Sequence, residues 1–155
     1  MEKFLENIQE AEKTIRTLDH LIYVTFPLIK DKKLLLGIIL EAKKAIATCI
    51  NSILQYEYLY KRVNLYKDPL SNFRTFKEKC APRYQITSGE IKLILELFDL
   101  VEKHKKSTME FIRKERVIIL SENLEQKTIS FEGVKEFVIL AKSILTKARK
   151  NFNPS

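Results

Sequence analysis

Apolar residues recur at alternating steps of four and three positions through most of this chain, which is the pattern of amphipathic helices. Pro27 follows the first such stretch and is predicted to end its helix, because proline lacks the N–H that the next turn needs. Asp31 stands where a second helix would begin and is a candidate for its N-terminal cap. The apolar positions of the first helix are Phe4, Ile8, Ala11, Ile15, Leu18, Ile22 and Thr25.

The second helix is predicted over residues 32–66, where the same spacing continues. Its apolar stripe is wider than a coiled-coil seam, which is typical of a helix in a bundle. Small side chains in the middle of the stripe would let another helix approach closely. Asp68 and Pro69 are predicted to stop the helix. The small residues are Ala42, Ala45, Ala47, Cys49 and Ser52.

A connector over residues 70–85 separates the second helix from the third. Within it, Ser71 is predicted to cap a helix of about two turns, which Pro82 closes. Thr87 and Glu90 then form a capping-box pattern, in which each side chain accepts a hydrogen bond from a backbone N–H at the start of a helix. A third amphipathic helix is therefore predicted to begin there.

The segment before the last helix is ambiguous. A second capping-box pattern predicts a short helix over residues 107–114. Residues 117–120 either prolong that helix or form a strand that pairs with residues 127–130, since a short apolar run suits both structures. The last helix is clearer, with Ser130 as its cap and apolar positions at Phe131, Val134, Val138, Ala141, Leu145, Ala148 and Phe152.

These patterns predict a single all-α domain over residues 1–155, and the expected architecture is an antiparallel, up-down four-helix bundle. Short extra helices lie in the connections, together with one possible β-hairpin near 117–130. With 45% hydrophobic residues, the chain can bury a core. It has only 3 Gly and 4 Pro, too few for the many tight turns of sandwiches and barrels.

Charge is concentrated in two connectors. The chain carries 28 Lys and Arg against 20 Asp and Glu, a net charge of +8. Residues 61–84 contribute +5 (seven basic, two acidic) and residues 103–116 contribute +4 (six basic, two acidic). Bases interleaved with aromatic rings favour RNA or another polyanion as partner. The candidate binding residues are Lys61, Arg62, Arg74, Lys77 and Arg83, with Tyr58 and Tyr84 as rings expected to be exposed, and Lys103, Lys105, Arg113 and Arg116 in the second region.

Two other interpretations stay open. Tyr56, Tyr60 and Tyr66 fall on the apolar stripe, which favours a core position for their rings with the hydroxyl at the rim, and a lysine-rich surface can serve solubility alone. Alternatively, the long second helix overhangs its neighbours and uses its slim stripe for a homodimer or a protein partner.

Several chemistries find no support in the sequence. No glycine-rich phosphate loop is present, and neither cysteine stands in a zinc-binding spacing, so we expect no cofactor, no metal and no catalytic residues. Cys49 is expected to be buried, whereas cations around Cys80 could lower the pKa of its thiol. With two cysteines, no leader and no 18-residue apolar run, we expect a cytoplasmic protein that does not enter a membrane.

Two long helices, a basic connector and two further helices resemble the HEPN domains, which are four-helix bundles. Ribonucleases of that family carry Arg, four to six residues, then His, whereas only three residues separate Arg16 from His20 here. The resemblance therefore implies the fold and transfers no catalytic residue. It leaves one further alternative, a degenerate nuclease or nucleotide-sensing domain that uses His104 with Arg113 or Arg116. The Lys-, Glu- and Ile-rich composition is also similar to that of small archaeal proteins.

Overall fold

The computed structural model describes residues 2–31, 33–105, 109–113, 116–120 and 126–152. These residues are mostly helical, in agreement with the predicted class. Four long helices are joined by two short ones, two π-helical turns and three short strands. The elements are α1 (Lys3–His20), a π-helical turn (Leu21–Thr25), α2 (Phe26–Ile29), α3 (Lys33–Leu59), α4 (Pro69–Thr75), a second π-helical turn (Phe76–Cys80), α5 (Ser88–Lys105), β1 (Met109–Arg113), β2 (Arg116–Leu120), β3 (Gln126–Ser130) and α6 (Phe131–Asn151).

Helix α1 runs antiparallel to α3 and α6. Near the start of α1, the backbone carbonyl of Phe4 accepts a hydrogen bond of 2.7 Å from the Ser52 hydroxyl, close to the end of α3. The Phe4 ring also meets the ring of Phe152, which follows α6, edge to face at 5.1 Å. At the opposite end, Phe26 stacks on Phe131 at the start of α6, with ring centroids 4.9 Å apart. Contacts at both ends therefore fix the direction of these helices.

The start of α5 lies against the last turns of α6. The predicted capping box is confirmed, because the Glu90 backbone N–H donates to Thr87 Oγ1 at 3.1 Å and the Thr87 N–H donates to Glu90 Oε1 at 3.0 Å. The Glu90 carboxylate also accepts hydrogen bonds from Ser143 and Lys147 of α6. Helix α5 is thus anchored antiparallel to α6 by the residue that begins it.

One cluster of buried apolar side chains draws on all four long helices. The slim face of α3 belongs to it, since Ala42, Ala45 and Cys49 are at most 1% exposed. A homodimer through that face is therefore not supported, because this chain's own helices cover it. No helix in the described parts of the chain has a stretch apolar and long enough to cross a membrane.

The first helical segment continues past Pro27, contrary to our prediction. A π-helical turn over Leu21–Thr25 leads directly into α2, so Pro27 omits one backbone hydrogen bond to the preceding turn without ending the helical path. The segment ends at Lys30, which adopts a left-handed conformation with φ of 54°. Asp31 then accepts a 3.0 Å hydrogen bond from the Lys33 N–H, which confirms its predicted capping role.

Helix α3 ends at Leu59 rather than at Tyr66. Lys61 is left-handed, with φ of 60°, and the Arg62 N–H donates to the carbonyl of Glu57 at 2.9 Å. This pattern is a Schellman motif, which satisfies the last carbonyls of a helix and turns the chain away from its axis. The residues after Leu59 therefore leave the apolar stripe.

The connector is anchored by aromatic residues, as predicted, but its helix has a different cap. Asp68 is the N-cap of α4: its carboxylate accepts from the backbone N–H two residues later and from the hydroxyl of Ser71, which we had predicted as the cap. Asp68 directly precedes the helix, so its carboxylate can accept from the free N–H groups of the first turn. Phe76 is fully buried, and Phe73 contacts Phe98 of α5 at 6.0 Å between centroids.

The three strands form an antiparallel sheet in the order β1-β2-β3. The β2–β3 pairing, with Val117 opposite Ile129, confirms the hairpin that the sequence left open. The helix predicted over residues 107–114 is wrong for 109–113, which form β1 and pair with β2. A capping box supports only the first turn of a helix, whereas this aromatic and β-branched segment gains a full ladder of backbone hydrogen bonds on β2.

Candidate nucleic-acid interface

The last turn of α3 and the segment that follows it expose three tyrosines among cations. The side chains of Tyr58, Tyr60 and Tyr66 are 54%, 47% and 51% exposed. Lys61 and Arg62 lie between them in the chain, and both are exposed. We call these five residues the turn surface. The prediction that Tyr58 is exposed is confirmed, whereas a core position for Tyr60 and Tyr66 is wrong, because the helix ends before it would turn them inward.

Two shallow grooves border the turn surface and share Glu2, Phe4 and Leu59 on the ridge between them. The first has a volume of about 500 Å³, and its polar lining includes Arg149, which is ion-paired. The second has a volume of about 520 Å³, and its further lining residues are Lys3, Gln55, Tyr58, Lys61, Val63 and Asn64. The second groove thus combines apolar surface with two lysines and one carboxylate, that of Glu2, so cations outnumber anions in its lining.

A buried carboxylate lies directly beneath the turn surface. Glu57 is only 2% exposed. Arg62 binds it in a bidentate manner, with Nε donating to Oε1 at 3.0 Å and Nη2 donating to Oε2 at 2.8 Å. Arg83 Nε lies 3.5 Å from Oε1, and the hydroxyl of Tyr84 donates to Oε2 at 3.2 Å. Glu57 cannot be found from the sequence, because no pattern along the chain links it to the arginine and tyrosine of the connector.

A second Schellman motif brings the connector to this carboxylate. Gln85 is left-handed, with φ of 57°, and the Ile86 N–H donates to the carbonyl of Ala81 at 2.9 Å. Ala81 and Ile86 are both buried, which is the apolar contact that usually accompanies this motif. The turn between them carries Arg83 and Tyr84. The first Schellman motif therefore places Arg62 at Glu57, and the second places Arg83 and Tyr84 there.

The buried carboxylate shapes the electrostatics of its neighbours. Hydrogen bonding to Glu57 raises the pKa of Arg62, which keeps the guanidinium charged. Burial, and then the charge of Glu57, raises the pKa of Tyr84, which keeps the phenol protonated and able to donate. Burial raises the pKa of Cys80 to about 12, with Glu57 adding to the effect. Arg83 and Arg62 act in the opposite direction, but burial outweighs them, so the expectation of a lowered pKa for Cys80 is wrong.

Arg62 is also packed against aromatic rings. Its guanidinium carbon lies 5.1 Å from the ring centroid of Tyr60 and 5.7 Å from that of Tyr56. Such cation–π contacts hold the planar group in place and add about 0.5–1 kcal/mol at a partly exposed site. The side chain of Arg62 is therefore fixed on two sides, by the carboxylate and by the rings.

The other candidates in the first basic region are dispersed. Tyr84 is 1% exposed, so its expected role as an exposed ring is wrong: its hydroxyl belongs to the buried carboxylate. Arg74 in α4 and Lys77 in the second π-helical turn are exposed. Of the five cations predicted in this region, Arg62 and Arg83 meet at one carboxylate, and Lys61 stands beside Arg62 in the first Schellman motif.

In the second basic region, Lys103 is half-buried and forms an ion pair with Asp99 at 3.3 Å. The side chains of Lys105, Arg113 and Arg116 lie outside the described residues. Their backbones place Arg113 opposite Arg116 in the register of β1 and β2. A polyanion site formed by these residues therefore stays a prediction.

Among the described side chains, no group of three or more His, Cys, Asp or Glu is placed to hold a metal ion. Comparison with protein-family models, with curated proteins and with solved structures finds no match for this chain. The HEPN resemblance, and with it a nuclease that uses His104, stays a prediction.

Proposed function

We propose that this protein is a non-enzymatic helical module that binds RNA or another polyanion through the turn surface. The observation that carries the proposal is the exposure of Tyr58, Tyr60 and Tyr66 beside Lys61 and Arg62 at one end of the fold. Exposed rings provide stacking platforms for bases, and the cations between them neutralise phosphates, which together give sequence-tolerant binding of single strands.

An up-down four-helix bundle is the architecture that we propose as the frame of this surface. The antiparallel contacts of α1 with α3 and α6, and of α5 with α6, support it. In that arrangement the start of α1, the end of α3 and the end of α6 lie together. The two grooves open at this end, so a bound strand would run from one groove across the turn surface.

Fluorescence anisotropy of labelled single-stranded RNA, titrated at several salt concentrations, tests the proposal. We expect binding that weakens steeply with salt. Lys61→Gln should reduce the slope of log K against log salt by about 0.7, the contribution of one phosphate contact on a single strand. Tyr58→Ala should instead weaken binding by about tenfold with the slope unchanged, because stacking is worth about 1–3 kcal/mol per base.

Matched controls separate this surface from general charge and aromaticity. Lys44→Gln removes an exposed lysine from the middle of α3, and Tyr23→Ala removes a tyrosine that is 44% exposed at the other end of the fold. Lys44→Gln should have only the small effect of one distant charge on the affinity and the salt slope, and Tyr23→Ala should change neither. Feeble binding of wild type at every salt concentration would refute the proposal, and equal effects of the controls would refute the location.

A protein–protein interaction module is the second candidate, favoured by exposed apolar residues around α2. Leu28 is 80% exposed and Ile29 is 63% exposed, with Val24 and Tyr23 close by in the chain at 44% each. Exposed apolar side chains in such a group are typical of association surfaces. Light scattering tests the homodimeric form: a dimer that Leu28→Glu dissociates would support it, and a strict monomer at high concentration would exclude it.

A further inference from the structure

Two arginines share one carboxylate beneath the turn surface. Arg62 and Arg83 both direct Nε toward Glu57 Oε1, at 3.0 Å and 3.5 Å. Glu57 is buried, whereas the two arginine side chains are 33% and 51% exposed. The carboxylate is thus on the inner side of both guanidinium groups, and their outer sides reach solvent.

The charges in this cluster do not balance. Two cations meet a single anion, so the group keeps a net positive charge at the surface. Arg62 engages the carboxylate through two hydrogen bonds, whereas Arg83 approaches it through Nε at 3.5 Å. Arg62 also interacts with Tyr56 through a side-chain hydrogen bond, whereas half of the Arg83 side chain is exposed. The planar guanidinium of Arg83 matches the geometry of phosphate oxygens.

We propose that Glu57 is a positioning residue that holds Arg62 and Arg83 side by side as a clamp for one phosphate group of the bound polyanion. Tyr84 assists by donating its hydroxyl to Oε2, the oxygen that Arg62 Nη2 also binds, and so helps to fix the carboxylate. This inference rests on the proposed function and gives it a ligand class: a nucleic acid or another phosphorylated polymer, rather than any polyanion.

A purely structural role accounts less well for the cluster. One bidentate arginine already satisfies a buried carboxylate, and a buried ion pair is seldom more stabilising than apolar residues in its place. The second arginine is half-exposed at the edge of hydrogen-bonding range. A group held in that way can turn its donors toward a phosphate with little loss of existing bonds.

The decisive experiment compares two variants by anisotropy with single-stranded RNA. Arg83→Lys keeps the charge and removes the fork, and we expect affinity to fall about tenfold, the equivalent of one lost charge-assisted hydrogen bond. Glu57→Gln removes a buried negative charge and so raises the net positive charge by one, which by general electrostatics would strengthen binding. The clamp requires the opposite, a weakening of about tenfold, because the two guanidiniums lose their common anchor.

Specificity for phosphate provides a readout that a structural role would not change. Inorganic phosphate should displace RNA from wild type more strongly than chloride at the same ionic strength, and Arg83→Lys should abolish that difference. Oligonucleotides with a 5′-phosphate and with a 5′-hydroxyl distinguish the sources: a preference for the first assigns the clamp to a terminal monoester, and equal affinities assign it to the backbone diester.

The outcomes separate this inference from the function on which it rests. If wild type does not bind RNA, the proposed function fails. If it binds, and Arg83→Lys and Glu57→Gln bind equally well or better, the clamp is refuted while the function stands. Should Glu57→Gln fail to fold, Arg83→Lys still decides, since that side chain is 51% exposed. Arg16→Lys, at an exposed arginine of α1, is the control for the exchange of arginine for lysine.

Discussion

Replacing Arg62 by alanine should destabilise the fold although a third of that side chain is exposed. The substitution removes the bidentate partner of Glu57, whose own side chain is 2% exposed. Removing one partner of a buried ion pair costs about 3–5 kcal/mol, because the remaining charge is left without compensation. Arg83 stays 3.5 Å from the same carboxylate, and water reaches the vacated site, so both reduce the loss. We expect a decrease of about 2–3 kcal/mol in the free energy of unfolding.

Urea unfolding followed by circular dichroism measures this loss. The matched control is Arg149→Ala, which breaks the ion pair with Glu12 at a guanidinium that is 59% exposed. An exposed pair contributes about 0–1 kcal/mol, so the control should change stability by no more than that. If Arg62→Ala also falls within about 0.5 kcal/mol of wild type, Glu57 behaves as a surface carboxylate and the reasoning is refuted.

Three further predictions concern stability and reactivity. Burial raises the pKa of both Cys49 and Cys80 to about 12, so at pH 8 a disulfide reagent should modify neither thiol until urea is added, and rapid modification of one would contradict their burial. Burial raises the pKa of Glu90, but its hydrogen bonds outweigh this and the pKa lies below 4.5. Its stabilising effect is therefore present above that pH and lost in acid, so the melting temperature of wild type should fall more steeply there than that of Glu90→Gln. Ser130 accepts from the Gly133 N–H at 3.1 Å, and Ser130→Ala should cost about 1 kcal/mol in urea unfolding.

Apolar spacing was sufficient to locate the long helices and their buried faces. The first stripe is buried from Phe4 to Ile22, and the last helix begins after Ser130, as the pattern predicts. Spacing is informative here because each helix buries one face against the same core, so the buried residues recur at helical spacing along the sequence. The capping box at Thr87 adds a local hydrogen-bond pattern that needs no tertiary contact.

Helix ends were harder to predict, because the usual marker is missing. A left-handed residue that ends a helix is most often glycine. In the described parts of the chain, the left-handed positions are Lys30, Lys61 and Gln85, and none of the described glycines has a positive φ. At Lys61 and Gln85 this conformation completes a Schellman motif with a residue other than glycine. The resulting error was largest for α3, where it placed the rings of Tyr60 and Tyr66 in the core.

The buried carboxylate lay beyond sequence analysis for a related reason. Dividing the chain by charge places Glu57 in a neutral segment and its two arginines in the next, basic one, so their compensation is invisible. Counting Glu57 with residues 61–84 lowers that region from +5 to +4 (seven basic, three acidic). The fold thus changes the net charge of the region by only one, but it changes what two of the arginines contact. Charge counting predicts a set of independent cations, whereas Arg62 and Arg83 share the Glu57 carboxylate. A charge-preserving substitution at Arg83 therefore tests the site more sharply than the removal of any single lysine.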